Sequence, residues 1–425
     1  MKICMMTNTY LPHVGGVARS VSTFVDEYRR MGHEVLVVAP NLPGRVSKRA
    51  EAVVERVAAI QNFNGSDFSV RLPLAATLSS RLDEFAADIV HAHHPFLLGD
   101  TALRFATNRN VPVVFTHHTK YEDYVHYLSK SSTALRRAAM DLPTAYANLC
   151  DGVLAPSDSI ARLIRRRGVT VPIEVAPTGI DTQAFAKGDG ARFRRKFKLP
   201  AKAFVAGHVG RLAPEKNLPY LAEAIAGFLK LNRTAWFLVV GGGPSEDKLR
   251  EIFKKHGVDD RLVLAGSHTG QSLHDAYNAM DVFVFSSRSE TQGLVIAEAM
   301  AAGAPVVALN ASGVREVVEH GKNGFLLSPT AKPAEFAKQL QRLATNPKQL
   351  KSFSAAAVTT ADTFSRRHCA ERAIAFYERI RRETRRERLQ TAQSPWLALT
   401  ERIGVEWELL SRNARAIGTT LAAGR

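Results

Sequence analysis

Apolar residues fall along this chain in short runs, rich in valine, isoleucine and phenylalanine, that end in polar or glycine-containing turns and lead into stretches with helical spacing. Residues 2–7 form the first run. The chain then passes Gly15-Gly16 into a helical pattern over 17–31, with Val21, Phe24, Val25 and Tyr28 on one face and Gly32 as its stop. Runs at 33–40, 88–93, 112–116, 151–157 and 173–177 repeat the buried-strand signature, whereas 41–68 shows no firm period and reads as a partly helical loop. The second half restarts with a strand over 204–211 and a helix over 218–231, then strands at 236–243 and 261–267 and a helix over 271–280. Residues 281–287 form another strand, followed by the polar stretch Ser289-Glu290-Thr291-Gln292, a short helix starting near Gly293, a stop at Gly303 and a buried strand over 306–309. Pro333 and Pro347 each open a helix at the first turn, where a missing N–H is tolerated, and 372–388 reads as a long basic helix.

Short buried strands that alternate with helices predict an α/β protein built on parallel sheets. Two halves of similar size predict two doubly wound, Rossmann-like domains facing a central cleft. Their boundaries are expected near residues 185 and 365, with C-terminal basic helices over 366–425 partly returning to the first domain. A length of 425 residues fits two or three domains.

Composition narrows the setting. Cys4, Cys150 and Cys369 are widely spaced, form no metal-like cluster and suit a reducing compartment. No secretory leader and no apolar run of about 20 residues is evident, so a soluble or peripheral protein is expected. The formal net charge of +17 calls for an anionic partner or surface. Nucleic acid would require aromatic residues interleaved with the cations for base stacking, and the sequence holds no such array. Anionic lipid is the other candidate that charge alone raises, and no nucleic acid is expected.

The candidate chemistry gathers where predicted strands end, the edge at which open α/β sheets bind ligands. Glu290 follows one strand and Glu298 lies inside the next helix. Between them Gly293 stands at a helix start whose free N–H groups could seat an anion, flanked by Thr291, Gln292 and Leu294. Arg211 and Lys216 share a strand-to-helix loop, and a planar guanidinium beside a compact ammonium suits a diphosphate. In the first half, Gly15 and Gly16 let a bound group approach the backbone closely. His93, His94, His117 and His118 all sit at strand ends, and Tyr121 and Tyr124 belong to an aromatic and polar cluster that follows. The bland reading of the acidic stretch is a solvated helix face carrying two ordinary acids.

The Glu-x7-Glu spacing of Glu290 and Glu298, within Glu290-Thr-Gln-Gly-Leu and Glu298-Ala-Met-Ala-Ala-Gly-Ala-Pro, together with Gly15-Gly16, Gly210-Arg211 and Lys216, resembles the retaining glycosyltransferases of family 4, over roughly residues 1–380. The resemblance implies the GT-B fold and a nucleotide-sugar substrate. It implies that Glu290 meets hydroxyls of the donor sugar, Glu298 the ribose, Arg211 and Lys216 the diphosphate, and Gly16 the close approach of that diphosphate. His118 would line the reacting centre, with His117, Tyr121 and Tyr124 on the acceptor side. Gln292 stands where the family carries phenylalanine. That departure and the run from His118 to Tyr127 resemble the branch that glucosylates diacylglycerol.

The resemblance therefore implies a hexosyltransferase, with UDP-glucose as donor, a membrane lipid as acceptor, and a location at the inner face of the plasma membrane. No Asp-x-Asp pair is present, so no metal cofactor is expected. Basic helices at 160–167 and 372–388 are the expected membrane contacts. GDP-mannose with a phosphoinositide, soluble or polysaccharide acceptor is the alternative within enzymes, and a basic nucleic-acid-binding protein or a sugar-nucleotide sensor is the alternative outside them.

Overall fold

In the computed structural model residues 1–13, 15–44, 47–60, 70–71, 76–119, 133–288 and 290–391 are described. Tyr121, Tyr124 and the tail from 392 lie outside the described residues. The chain forms two units, one of Met1–Thr178 with Cys369–Arg425 and the other of Gly179–His368.

The first unit is built on a seven-stranded parallel sheet in the order Val54–Val57, Glu34–Pro40, Lys2–Met6, Ile89–Ala92, Val113–Thr116, Gly152–Ala155 and Ile173–Val175. Met5 lies level with Val37 on one side and His91 on the other. Ile3, Met5, Val37, Val90, Val114 and Val153 are fully buried, as expected of strands covered on both faces. Val54–Val57 is an edge strand inside the stretch that sequence reads as loop. Its Glu55-Arg56 pair breaks the apolar run, and only pairing with Glu34–Pro40 makes it a strand.

The long helix Arg366–Thr391 completes this unit. Sequence reads its basic stretch as a solvated face available to a membrane, and the structure corrects that reading in part. Cys369, Ala370, Ala373, Phe376, Tyr377 and Ile380 are buried in the core with Ile3, Val21, Phe24 and Tyr28. Gly152 permits this close packing, since a Cβ there would stand 2.6 Å from Phe376 Cζ. Some of its arginines are also bound internally: Arg381 pairs with Asp88 at 2.6 Å and Arg379 with Glu174 at 3.3 Å. Helical Arg/Glu density conceals an apolar face of small and aromatic residues, and that face belongs to the protein core.

The second unit carries a six-stranded parallel sheet in the order Leu262–Leu264, Ala235–Val240, Phe204–Val209, Val282–Phe285, Val306–Leu309 and Gly324–Leu327. Helices Leu218–Leu231 and Pro333–Thr345 cover one face, and Leu294–Ala301 lies in the core on the other. The chain enters this unit after Thr178 and leaves it after His368, whereas sequence places the boundaries near 185 and 365. Phe185 already lies in the core of the second unit. Entry and exit are tied together there: Ile180 N donates to Phe364 O at 2.9 Å and Arg366 N to Ile180 O at 3.0 Å.

Candidate active site

In the second unit strand order reverses between Phe204–Val209 and Val282–Phe285, and the loops beyond these two strands carry Lys216 and Glu290. A switch point of this kind opens a crevice at the carboxyl ends of the strands. Beyond Val209 the chain passes exposed Arg211 to the single turn Pro214–Lys216 and, through left-handed Asn217, into helix Leu218–Leu231. Ser286, just past the neighbouring strand, holds that turn: its Oγ donates to Lys216 O at 2.9 Å, and Asn217 Nδ2 donates back to Ser286 O at 3.3 Å. Sequence reading missed these positioning residues, and the only available signal was a polar Ser-Ser pair directly at a strand end.

Lys216 Nζ donates to Glu290 Oε1 at 2.6 Å. The side chains are only 21% and 16% exposed, so this is a largely sheltered ion pair. Glu298 is fully inside, 1% exposed, and accepts a hydrogen bond from Tyr277 Oη at 2.7 Å. The reading of two ordinary solvated acids does not hold. Arg211 lies at the start of the same loop, with its guanidinium bonded to no described residue.

Gly293 caps helix Leu294–Ala301 in the left-handed region, φ +66, with no side-chain cap. Thr291, Gln292 and Leu294 beside it are part exposed. A Cβ on Gly293 would overlap Gly313 O, and one on Gly313, φ +77, would stand 2.8 Å from Glu290 Cβ. These two glycines therefore let two loops interlock and fix the position of Glu290. Gly313 N donates to Glu316 Oε2 at 2.8 Å, which holds the second loop. The result is a helix N-terminus with unclaimed N–H groups beside an ammonium–carboxylate pair.

In the first unit the switch point lies between Lys2–Met6 and Ile89–Ala92. Asn8 N donates across it to His94 Nδ1 at 3.1 Å. Gly15 is the N-cap of helix Gly16–Arg30, and a Cβ on Gly16 would meet nothing within 4 Å, so open space lies over that helix start. His93 Nδ1 and His118 Nε2 stand 2.9 Å apart, His91 Nε2 lies 2.6 Å from Thr116 Oγ1, and Tyr377 Oη reaches His91 Nδ1 at 2.6 Å. His117 is buried beside them, its ring against Phe115. Burial pushes His91 and His94 down to about 3 and holds His93 and His118 well below the usual histidine range. All are thus neutral imidazoles near pH 7.

Glu290, Lys216 and Gly293 come together in the second unit, and His93, His94, His117 and His118 come together in the first. Among the described residues no group of three or more His, Cys, Asp or Glu side chains forms a metal site, and no helix is long and apolar enough to cross a membrane.

The family described as "Glycosyl transferases group 1" matches residues 189–359, and that described as "Glycosyltransferase Family 4" matches residues 14–184. The chain is 29% identical over 365 residues to the alpha-monoglucosyldiacylglycerol synthase of Acholeplasma laidlawii, covering 83% of this chain and 91% of that protein. It is 31% identical over 332 residues to a GDP-mannose-dependent alpha-mannosyltransferase of Mycobacterium tuberculosis, covering 77% of this chain and 84% of the relative. Among solved structures, HepE of Anabaena in complex with UDP is similar in fold, with a TM-score of 0.69 at 21% identity over 89% of this chain and 100% of that one.

Proposed function

We propose, for a chain that belongs to the group 1 and family 4 glycosyltransferases and has their GT-B fold, that it moves glucose from UDP-glucose, with retention of configuration, onto a membrane lipid such as diacylglycerol. The observation that carries the donor half of this reading is the Lys216–Glu290 pair beside the glycine-capped helix Leu294–Ala301. The acceptor half is supported by similarity to a protein named for glucosyl transfer to diacylglycerol, spanning most of both chains.

Breaking the sugar–phosphate bond builds negative charge on the departing diphosphate. Arg211, Lys216 and the free N–H groups at the start of helix Leu294–Ala301 offset that charge as it develops, which lowers the barrier rather than merely tightening binding. Lys216 exchanges its carboxylate partner for phosphate when the donor arrives, and Glu290 is released to accept hydrogen bonds from sugar hydroxyls. Glu298, held by Tyr277, takes the ribose. The acceptor hydroxyl attacks the anomeric carbon from the face the diphosphate leaves, and its proton passes to the departing phosphate oxygen. Lys216, held by Glu290, and Arg211 supply the countercharge that a metal would otherwise provide.

Incubation with a panel of nucleotide sugars and extracted lipids, read by mass spectrometry, tests the reading: a hexosylated diacylglycerol formed from UDP-glucose is expected. The similarity to the mannosyltransferase favours a second reading, GDP-mannose as donor with a phosphoinositide or soluble acceptor. Product from GDP-mannose in the absence of lipid would replace the first reading by the second.

A lipid acceptor sets the enzyme at the inner face of the cytoplasmic membrane, and the net charge of +17 suits an anionic surface. Helix Asp158–Arg166 buries Ile160, Ala161 and Ile164 and exposes Arg162, Arg165 and Arg166. Each cation near an anionic surface contributes about 1 kcal/mol. Sedimentation with vesicles is expected to show binding that rises with anionic lipid content and falls with salt, and equal binding to neutral vesicles would exclude the membrane contact.

A further inference from the structure

Two neutral imidazoles meet through a single hydrogen at His93 Nδ1 and His118 Nε2, 2.9 Å apart, with ring centroids at 5.2 Å. Either ring could donate, and the two arrangements differ at the nitrogens that face away. If His118 donated from Nε2, His93 would accept on Nδ1 and hold its own proton on Nε2. That Nε2 is buried, in a residue 1% exposed, and has no partner among the described residues. His91, whose ring lies 4.0 Å away, cannot serve it, because both its nitrogens are engaged by hydroxyls, of Thr116 and of Tyr377. A buried N–H without an acceptor is the rarer and more costly orphan. His93 therefore donates from Nδ1 and leaves only a lone pair unmatched.

We infer that His93 is a positioning residue that fixes His118 as a neutral imidazole with its proton on Nδ1, so that His118 meets the substrate as a hydrogen-bond donor and never as a general base. No described residue engages that Nδ1, which is the nitrogen left for a ligand. A donor at this place holds an oxygen of the bound ligand and takes no proton from it. The inference about donor against base rests on the glycosyl-transfer reading. The tautomer itself does not.

Histidine-selective 15N labelling of the full-length protein, without substrate at pH 7.5, distinguishes protonated from bare ring nitrogens, with His118→Gln to assign the signals. The wild-type His118 is expected to carry its proton on Nδ1. In His93→Leu it is expected to populate both tautomers, and turnover falls about tenfold, the scale of one mis-set hydrogen bond, with KM for the nucleotide sugar unchanged. His93→Asn, whose amide N–H reaches the place of Nδ1–H, restores both the tautomer and most of the turnover. A proton on Nε2 of wild-type His118, or an unchanged His118 tautomer in His93→Leu, would overturn the inference. If the spectra are as expected while no donor in the panel is turned over, the tautomer set by His93 stands, and the functional reading falls together with the donor-against-base assignment that rests on it.

Discussion

Lys216→Ala is expected to transfer sugar about 10³-fold more slowly than the wild-type protein, the scale on which a fixed group facing a developing oxyanion is felt. Glu290→Ala loses activity on a similar scale. The two losses are expected not to multiply in the double variant, because Lys216 and Glu290 form one unit at 2.6 Å. Stability runs the other way. Lys216→Ala leaves a carboxylate that is 16% exposed without its countercharge, and Glu290→Ala leaves the ammonium, so each single variant melts below the double variant. Steady-state kinetics and calorimetry on the three variants check both statements. Wild-type turnover in Lys216→Ala and Glu290→Ala alike would remove the site from this pair of loops.

Mild acid is expected to unfold the first unit. His91, His93, His94 and His118 are buried neutral, with folded pKa values at about 3 or well below the ordinary one. In the unfolded chain each titrates near pH 6.5. A depressed folded pKa contributes stability that is fully present above the unfolded value and is lost as pH falls below it toward the folded one. At pH 5.5 the unfolded state already holds nearly one extra proton at each site, costing roughly 1.4 kcal/mol per histidine and roughly 6 kcal/mol for the four. That is comparable to the whole stability of many domains. His208 in the second unit, lowered to about 4 by burial, adds one such group there. Scanning calorimetry between pH 7.5 and 5.5 in 0.5 M salt, which screens the general repulsion of a +17 chain, is expected to show a steep fall of the first transition. A midpoint that does not move would mean that these rings are already charged in the fold.

The strands near the core were legible because a parallel sheet covered on both faces needs uninterrupted apolar runs, as at 2–7, 88–93 and 281–287. Val54–Val57 was not legible, since an edge strand carries Glu55 and Arg56 here and still pairs. Helix Arg366–Thr391 was seen, but its partner was not: nine arginines and four glutamates mask the spacing of Cys369, Ala373, Phe376, Tyr377 and Ile380. The members of the acidic site could be named from their spacing. Their direct bond to Lys216 could not, because 74 residues separate the partners and only strand order brings their loops together. The histidines at strand ends were named as a group, while the pairing of His93 with His118 depends on two strands lying side by side.

The fold also dictates an order of assembly on the ribosome. Residues 179–368 form one unbroken stretch and can close their core as soon as they emerge. The amino-terminal half cannot, although it is made first, because Cys369, Ala373, Phe376, Tyr377 and Ile380 fill its core from the far end of the chain. The half that begins synthesis is the last to be completed, and until then its core lacks the helix that closes it.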